Sequence, residues 1–371
     1  MPTTEAPAPC ASQARLQIDL DALARNWRFF RDQADGAICS AVIKADGYGL
    51  GLVPVARALA QAGCSVFFVA HIGEGIAARA ALGRKSAIYV LNGLLPEQSP
   101  IFLTHDLRPV LNDVGQIEQW QREGHGRPAA LHVDTGMNRL GISEDDIEAA
   151  NDALNGVNLS LIMSHLACAS DPQHPKNAMQ RAAFLAAAAR LPEAPLSLAA
   201  SAGTLLQGDY CFDLVRPGIG LYGGGPFDGE HVPLVPVATL EAPILQIRRL
   251  GPGDCVGYGA TWQADRARTL ATVALGYADG FLRSGSNRGF AIVGGAVCPV
   301  IGRVSMDLIS LDVTGAGQAA RVGAFAQFLG RAAPIDAQAQ ALGTLAYELL
   351  TSLGGRFERV YHPVVAQGGL E

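Results

Sequence analysis

Between residues 39 and 223 short apolar runs alternate with longer Ala-rich stretches of mixed polarity. The runs at 40–44, 66–70, 87–91, 108–111, 131–134, 160–165, 197–200 and 213–216 read as strands. The stretches at 53–62, 73–81, 114–122, 145–154 and 177–190 have the length and period of helices. Eight strand-like runs with helices between them predict a (β/α)8 barrel rather than a doubly wound sheet. The connection at 96–106 is short and irregular. After about Val237 the period changes: 239–249, 257–262, 269–275, 290–293 and 308–313 are β-like and punctuated by turns such as Gly251-Pro252-Gly253-Asp254. The expected division is a flexible 1–14, a barrel over 15–238 and a mostly β domain over 239–371. The run at 15–20 alternates like a strand that could pair with either domain.

A chain of 371 residues, 49% hydrophobic, suits one large domain plus a smaller one. Its formal charge of −6 gives no basic surface for nucleic acid or an anionic membrane. Seven scattered cysteines, with no Cys-x-x-Cys and no zinc-like spacing, read as free thiols in a reducing compartment, and no metal site is expected. No apolar segment at the N-terminus reads as a secretory signal, and none is long enough to span a membrane, so a cytoplasmic protein is expected.

Lys44 closes the apolar run at 41–44 and precedes a glycine-rich turn, Gly47-Tyr48-Gly49-Leu50-Gly51. Burial disfavours the ammonium form, and a neutral amine can capture a carbonyl. Barrels carry their chemistry at the carboxyl ends of the strands. Those ends also deliver Asp134 to Arg139, His165, Ser201 and Arg216. After the seventh and eighth strands, Ser201-Ala202-Gly203 and Pro217-Gly218-Ile219-Gly220 offer a hydroxyl and glycine amides suited to a phosphate. A carbonyl-trapping amine beside such a cradle is what pyridoxal phosphate requires. Taken singly, His165 reads as a satisfied core histidine, Arg139 and Arg216 as surface ion-pair partners, and Ser201 as a helix cap. Their shared position carries the functional reading. Tyr277, between Gly276 and Gly280 after the apolar run 271–275, is either an exposed turn residue or a base. A phenol ordinarily titrates at about 10, so the second role needs cations nearby.

Together these pieces resemble the alanine racemases: AVIKADGYGLG (41–51), VDTGMNRLG (133–141), SHLACASD (164–171), SAGTLL (201–206), VRPGIGLYG (215–223), GYADGFLR (276–283), GRVSMD (302–307) and YELLTSLGGR (347–356). The resemblance runs from Arg15 to about Tyr361. It implies a pyridoxal 5′-phosphate enzyme that interconverts L- and D-alanine by two bases, supplies D-alanine for peptidoglycan, and works as a homodimer with shared sites. By resemblance Lys44 is the Schiff-base lysine and one base. Tyr277 is the other base, contributed by the partner subunit. Arg216 faces the pyridine nitrogen, His165 adjusts Tyr277, and Arg139 lies near the phenolic oxygen and the substrate carboxylate. Tyr48, Ser201, Gly218, Ile219 and Tyr347 match phosphate-side positions, and Met306 and Asp307 a substrate-pocket segment. The chain departs from the pattern at His132, where many members carry a carbamylated lysine, and at Leu50, Ala200 and Ser305. A racemase of broader or serine preference is the alternative. A decarboxylase on a similar barrel and a non-catalytic pyridoxal-phosphate module both fit the tyrosine-bearing second domain poorly. Dinucleotide binding fails on glycine spacing.

Overall fold

The computed structural model describes residues 14–206, 209–227 and 232–363, and the chain divides into two compact units. Among the described residues, one runs from Asp21 to Leu234, and the other joins 14–20 with 235–363. The stretch 1–14, expected to be flexible, lies outside the described residues except for Ala14.

Strand β1 (Arg15–Asp19) belongs to the second unit. The first unit holds β2 (Ile38–Cys39), β3 (Ala41–Val42), β4 (Val66–Val69), β5 (Ala87–Val90), β6 (Arg108–Leu111), β7 (Ala129–His132), β8 (Leu159–Met163), β9 (Leu196–Ser197) and β10 (Leu214–Val215). From β3 to β9 each strand pairs in parallel with the next. β10 then pairs in parallel with β2, and the Ser40 and Val42 amides donate to the Val215 and Pro217 carbonyls, both at 3.0 Å. On its other side the Asp213 and Arg216 amides reach Leu196 (3.1 Å) and Ala199 (2.8 Å). The ring therefore closes, with β2 and β3 as one interrupted first strand. Strands covered on both faces read as continuous apolar runs, and β4, β5 and β6 each bury three residues in succession. Phe67, Phe68, Phe102 and Phe184 are among the largest side chains wholly removed from solvent.

The helices Leu52–Ala62, Ile72–Leu82, Val114–Glu123, Ile147–Ala153 and Pro175–Ala188 begin and end within two residues of the expected stretches. Their starts are chemically marked: Asp113 accepts the Gln116 amide at 2.8 Å, and Pro175 opens the last of them. The irregular connection holds a further helix, Ser99–Thr104, too short for its period to show.

In the second unit β1 alternates as expected, with Leu16 and Ile18 fully buried. It pairs antiparallel with β11 (Ala238–Leu250). The remaining strands are β12 (Cys255–Val256), β13 (Trp262–Gln263), β14 (Arg268–Val273), β15 (Phe290–Val293), β16 (Ala296–Pro299), β17 (Ile309–Asp312), β18 (Phe325–Leu329) and β19 (Glu358–His362). β11 is the spine, antiparallel to β1, β14 and β18, while β19 lies parallel to β1. One expectation is corrected. The run 257–262 is not a strand up to its last residue: Gly257 (φ 74°) and Gly259 (φ 72°) make a short 3-10 segment, Tyr258–Ala260, and only Trp262 belongs to β13. Two helices, Ile335–Leu342 and Ala346–Thr351, and the strands β12, β16, β18 and β19 were not foreseen.

Candidate active site

Ala41 and Ile43 are fully buried, and Lys44 follows at the carboxyl end of the first barrel strand. The backbone then turns left-handed: Ala45 (φ 52°), Asp46 (φ 53°), Gly47 (φ 61°) and Tyr48 (φ 55°). Each non-glycine residue there costs roughly 1–2 kcal/mol, so the turn must be held from outside itself. It is tied by the Gly47 amide to Ile43 O (3.0 Å), by the Gly49 amide to Ala45 O (2.7 Å) and by the Asp46 carboxylate to the Leu52 amide (2.8 Å). Burial, and then the positive charge of Arg139, hold the Lys44 amine below the usual lysine range, while Glu74 opposes both. A larger share of this amine is therefore unprotonated at neutral pH than for a lysine in water.

The turn places Tyr48 against the 3-10 turn Ile219–Tyr222 that follows the eighth strand. Its ring, 5% exposed, stacks on Tyr222 at 4.4 Å, and the Tyr222 hydroxyl donates to Val42 O at 3.0 Å. A Cβ on Gly218 would stand 2.3 Å from the Tyr48 hydroxyl, so only glycine fits there. Ser201 does not cap its own helical turn. Its Oγ accepts the Gly218 (2.8 Å) and Gly220 (3.2 Å) amides, joining the loops after strands seven and eight. Ser201 and Ile219 thus each open a short helical turn beside the Tyr48 hydroxyl.

Arg216 is not at the surface. It is 3% exposed, and its guanidinium donates to neutral oxygens: Ser197 Oγ, Ser164 O and Leu198 O. Burial pushes it down to about 9, still protonated at neutral pH. Desolvation first, and then Arg216 and Arg139, push His165 down to about 3. Desolvation and Arg216 likewise push His132 to about 4. His132 Nδ1 lies 2.8 Å from Asn112 Oδ1, and the Asn112 amide nitrogen already donates to Leu91 O and Val110 O. Nδ1 must therefore carry the proton of a neutral ring. Arg139 itself is exposed. Gln180, 1% exposed, donates to His165 O (2.9 Å) and Thr135 Oγ1 (3.2 Å) and accepts the Ala167 amide (2.8 Å). Sequence reasoning missed Gln180 and Asn112, because neither a mid-helix glutamine nor a strand-end asparagine carries a signal of its own.

In the second unit Tyr277 opens a 3-10 turn, Tyr277–Asp279. A Cβ on Gly276 would stand 2.1 Å from Met306 O, and one on Gly280 2.1 Å from Ser352 O, so both flanking glycines are required by close approach. The Tyr277 and Ala278 amides donate to Ser305 O and Met306 O, both at 3.0 Å. Buried Asp279 accepts the Gly276 amide at 2.9 Å, and Arg356 bridges it (3.2 Å) to Asp307 (2.8 Å). Tyr277 (42%) and Met306 (54%) keep exposed side chains, as does Tyr347 on the helix Ala346–Thr351. The candidates thus form two sets: Lys44, Tyr48, Arg139, His165, Ser201, Arg216, Gly218 and Ile219 in the barrel unit, and Tyr277, Met306, Asp307 and Tyr347 in the β unit.

A closed barrel with a desolvated lysine at its mouth, followed by a β unit bearing a glycine-clamped tyrosine, defines a two-unit protein of the barrel-plus-β-domain class. The family model for the alanine racemase N-terminal domain matches residues 18–226, and that for the alanine racemase C-terminal domain matches residues 237–361. An alanine racemase of Methylobacterium sp. (strain 4-46) is 50% identical over 94% of this chain and 97% of its own. A catabolic alanine racemase of Mesorhizobium japonicum is 44% identical over 95% and 94%. Among solved structures, the alanine racemase of Bartonella henselae with covalently bound pyridoxal phosphate superposes with a TM-score of 0.90. It is 37% identical, over 95% of this chain and 100% of that one. The chain belongs to the alanine racemase family. Its activity is the interconversion of the enantiomers of alanine.

Proposed function

We propose that the reaction runs on pyridoxal 5′-phosphate held by Lys44, with Tyr277 of a second copy of the chain as the opposing base, in a cytoplasmic homodimer. The single observation that carries this is a desolvated amine on the same turn as the Tyr48 hydroxyl, beside a glycine whose Cβ would fill the cradle. The residues fit the group. Ser201 Oγ accepts the Gly218 and Gly220 amides and so keeps its own proton to donate to a phosphate, the Tyr48 hydroxyl lies beside Gly218, the Ile219 amide follows in the same loop, and Lys44 supplies the amine. Covalently bound pyridoxal phosphate in the Bartonella henselae relative supports the same assignment. When bound, the cofactor supplies an aldehyde for amines and a ring that spreads the electron pair left when Cα loses its proton.

On this reading the barrel unit binds the cofactor and the β unit supplies the second base, with Tyr347 completing the phosphate side. Lys44, whose amine burial and Arg139 hold below the usual lysine range, takes or returns the Cα proton on one face. The Tyr277 phenol does the same on the other. Arg216, a buried cation that keeps its proton, would be the residue to face the pyridine nitrogen and would leave that nitrogen unprotonated. Neutral His165 steadies Tyr277. The exposed guanidinium of Arg139 takes the substrate carboxylate, and Met306 and Asp307 border the pocket.

The test loads the full chain with pyridoxal phosphate, reduces it with borohydride and maps the peptides. A pyridoxyl mass on Lys44 is the expected result, and an unmodified Lys44 overturns the assignment. Mixing inactive Lys44→Ala and Tyr277→Phe proteins under subunit exchange should restore about a quarter of wild-type activity, because half the dimers then carry one intact site of two. No recovery refutes the shared site.

A further inference from the structure

We propose that Glu74 is a positioning residue for Lys44: its carboxylate clamps the backbone immediately behind the lysine to the end of the neighbouring barrel strand and sets a negative charge beside the amine. The inference rests on the assignment of Lys44 above. Where β3 ends, the turn's own hydrogen bonds begin only at the Gly47 amide, which leaves the Ala45 amide to find an acceptor elsewhere. Glu74 Oε1 takes it at 2.6 Å. The other oxygen, Oε2, accepts the Ala70 amide at 2.7 Å and the His71 amide at 3.4 Å, just past the end of β4. β3 and β4 are direct neighbours, Ala41 opposite Phe67 and Val42 opposite Phe68. One carboxylate therefore ties together the ends of two adjacent staves.

Capping explains only half of this. Glu74 is the third residue of the helix Ile72–Leu82 and forms a capping box with His71, for which one oxygen suffices. The second oxygen leaves the helix to reach Ala45, and the side chain is only 11% exposed. Hydrogen bonds to an ionised carboxylate are about twice as strong as neutral ones. This one sits at the first residue of a turn whose left-handed backbone is costly to hold. Losing it frees the turn that aims Lys44 and carries Tyr48. The charges facing the amine are Arg139 and Glu74, of opposite sign, and those facing Glu74 are Lys44 and the largely exposed His71, whose Nε2 lies 3.7 Å from Oε1.

The experiment uses the full chain freed of cofactor with hydroxylamine. It follows the rate of pyridoxal phosphate capture at Lys44, by borohydride trapping and peptide mass, across pH. In wild type the rate should rise with pH to a plateau as the amine deprotonates. Glu74→Gln removes the charge and one acceptor. The midpoint should move to lower pH, because the countercharge that favoured the ammonium is gone, while the plateau falls about tenfold or more through lost aim. Glu74→Asp keeps the charge on a shorter arm and should lower the plateau while leaving the midpoint nearer to wild type. Asp113→Ala, which removes an N-cap from another barrel helix, should move neither. Both Glu74 profiles superimposing on wild type, or all three variants losing plateau alike in step with thermal stability, overturns the proposal. A wild-type chain that takes no label at Lys44 overturns the underlying assignment instead, so the two failures are distinguishable.

Discussion

Acidification from pH 7.5 to pH 5 should destabilise the barrel unit through its desolvated histidines. His132 sits at about 4 in the folded chain against an ordinary 6.5, and His165 at about 3. Both folded values are depressed, so below pH 6.5 the unfolded chain binds protons that the folded chain refuses. The stabilisation is full above pH 6.5 and is lost progressively as pH falls toward 4 and 3. For His132 alone, integrating between the two values gives a loss of about 2 kcal/mol at pH 5, or roughly 4–8 °C in a thermal midpoint for a domain of this size. His165 adds a term of the same sign. Its share is tempered by His132, since each charge raises the cost of the other. The assay is a series of thermal melts between pH 7.5 and 5, above the range in which most carboxylates titrate. His132→Gln retains a donor toward Asn112 Oδ1 but cannot take up a proton, so it should remove a large part of the slope whatever it does to the absolute midpoint. A midpoint that stays flat over this window, or a His132→Gln slope equal to wild type, refutes the reasoning.

Gly218→Ala should weaken pyridoxal phosphate binding and cost about 1–3 kcal/mol of stability, because the added methyl meets the Tyr48 hydroxyl at 2.3 Å and Tyr48 is pinned by its stack on Tyr222. A cofactor titration with wild-type affinity contradicts the cradle. Gly276→Ala drives a methyl to 2.1 Å from Met306 O, a backbone atom that cannot rotate away. It should displace Tyr277 and cost racemisation on the order of a hundredfold, while borohydride labelling of Lys44 stays at the wild-type level. Loss of labelling in step with activity would mean that the glycine serves folding alone.

The barrel was legible because its strands are covered on both faces, so short apolar runs such as Val66–Val69 and Ala87–Val90 stand out between helices of regular length. The β unit was less so. β19 mixes charged and apolar residues, ERVYH, and is only half-buried, and its pairing to β1 spans nearly the whole chain, a contact that no local pattern encodes. At the site the same physics decides. The two bases proposed, Lys44 and Tyr277, stand out in the sequence because an amine ending an apolar run and a phenol between glycines each break a local rule. Their supports break none. Gln180 in a helix, Asn112 after a strand and Glu74 in a helix's first turn carry no local mark, yet each is buried or nearly so and holds backbone at a strand end. What sets them apart is a second acceptor or donor directed across the barrel mouth, a property of three dimensions alone. Candidate reacting groups of such an enzyme can therefore be picked out from residue type and order, whereas candidate groups that would position them emerge only when each buried polar atom is followed to its partner.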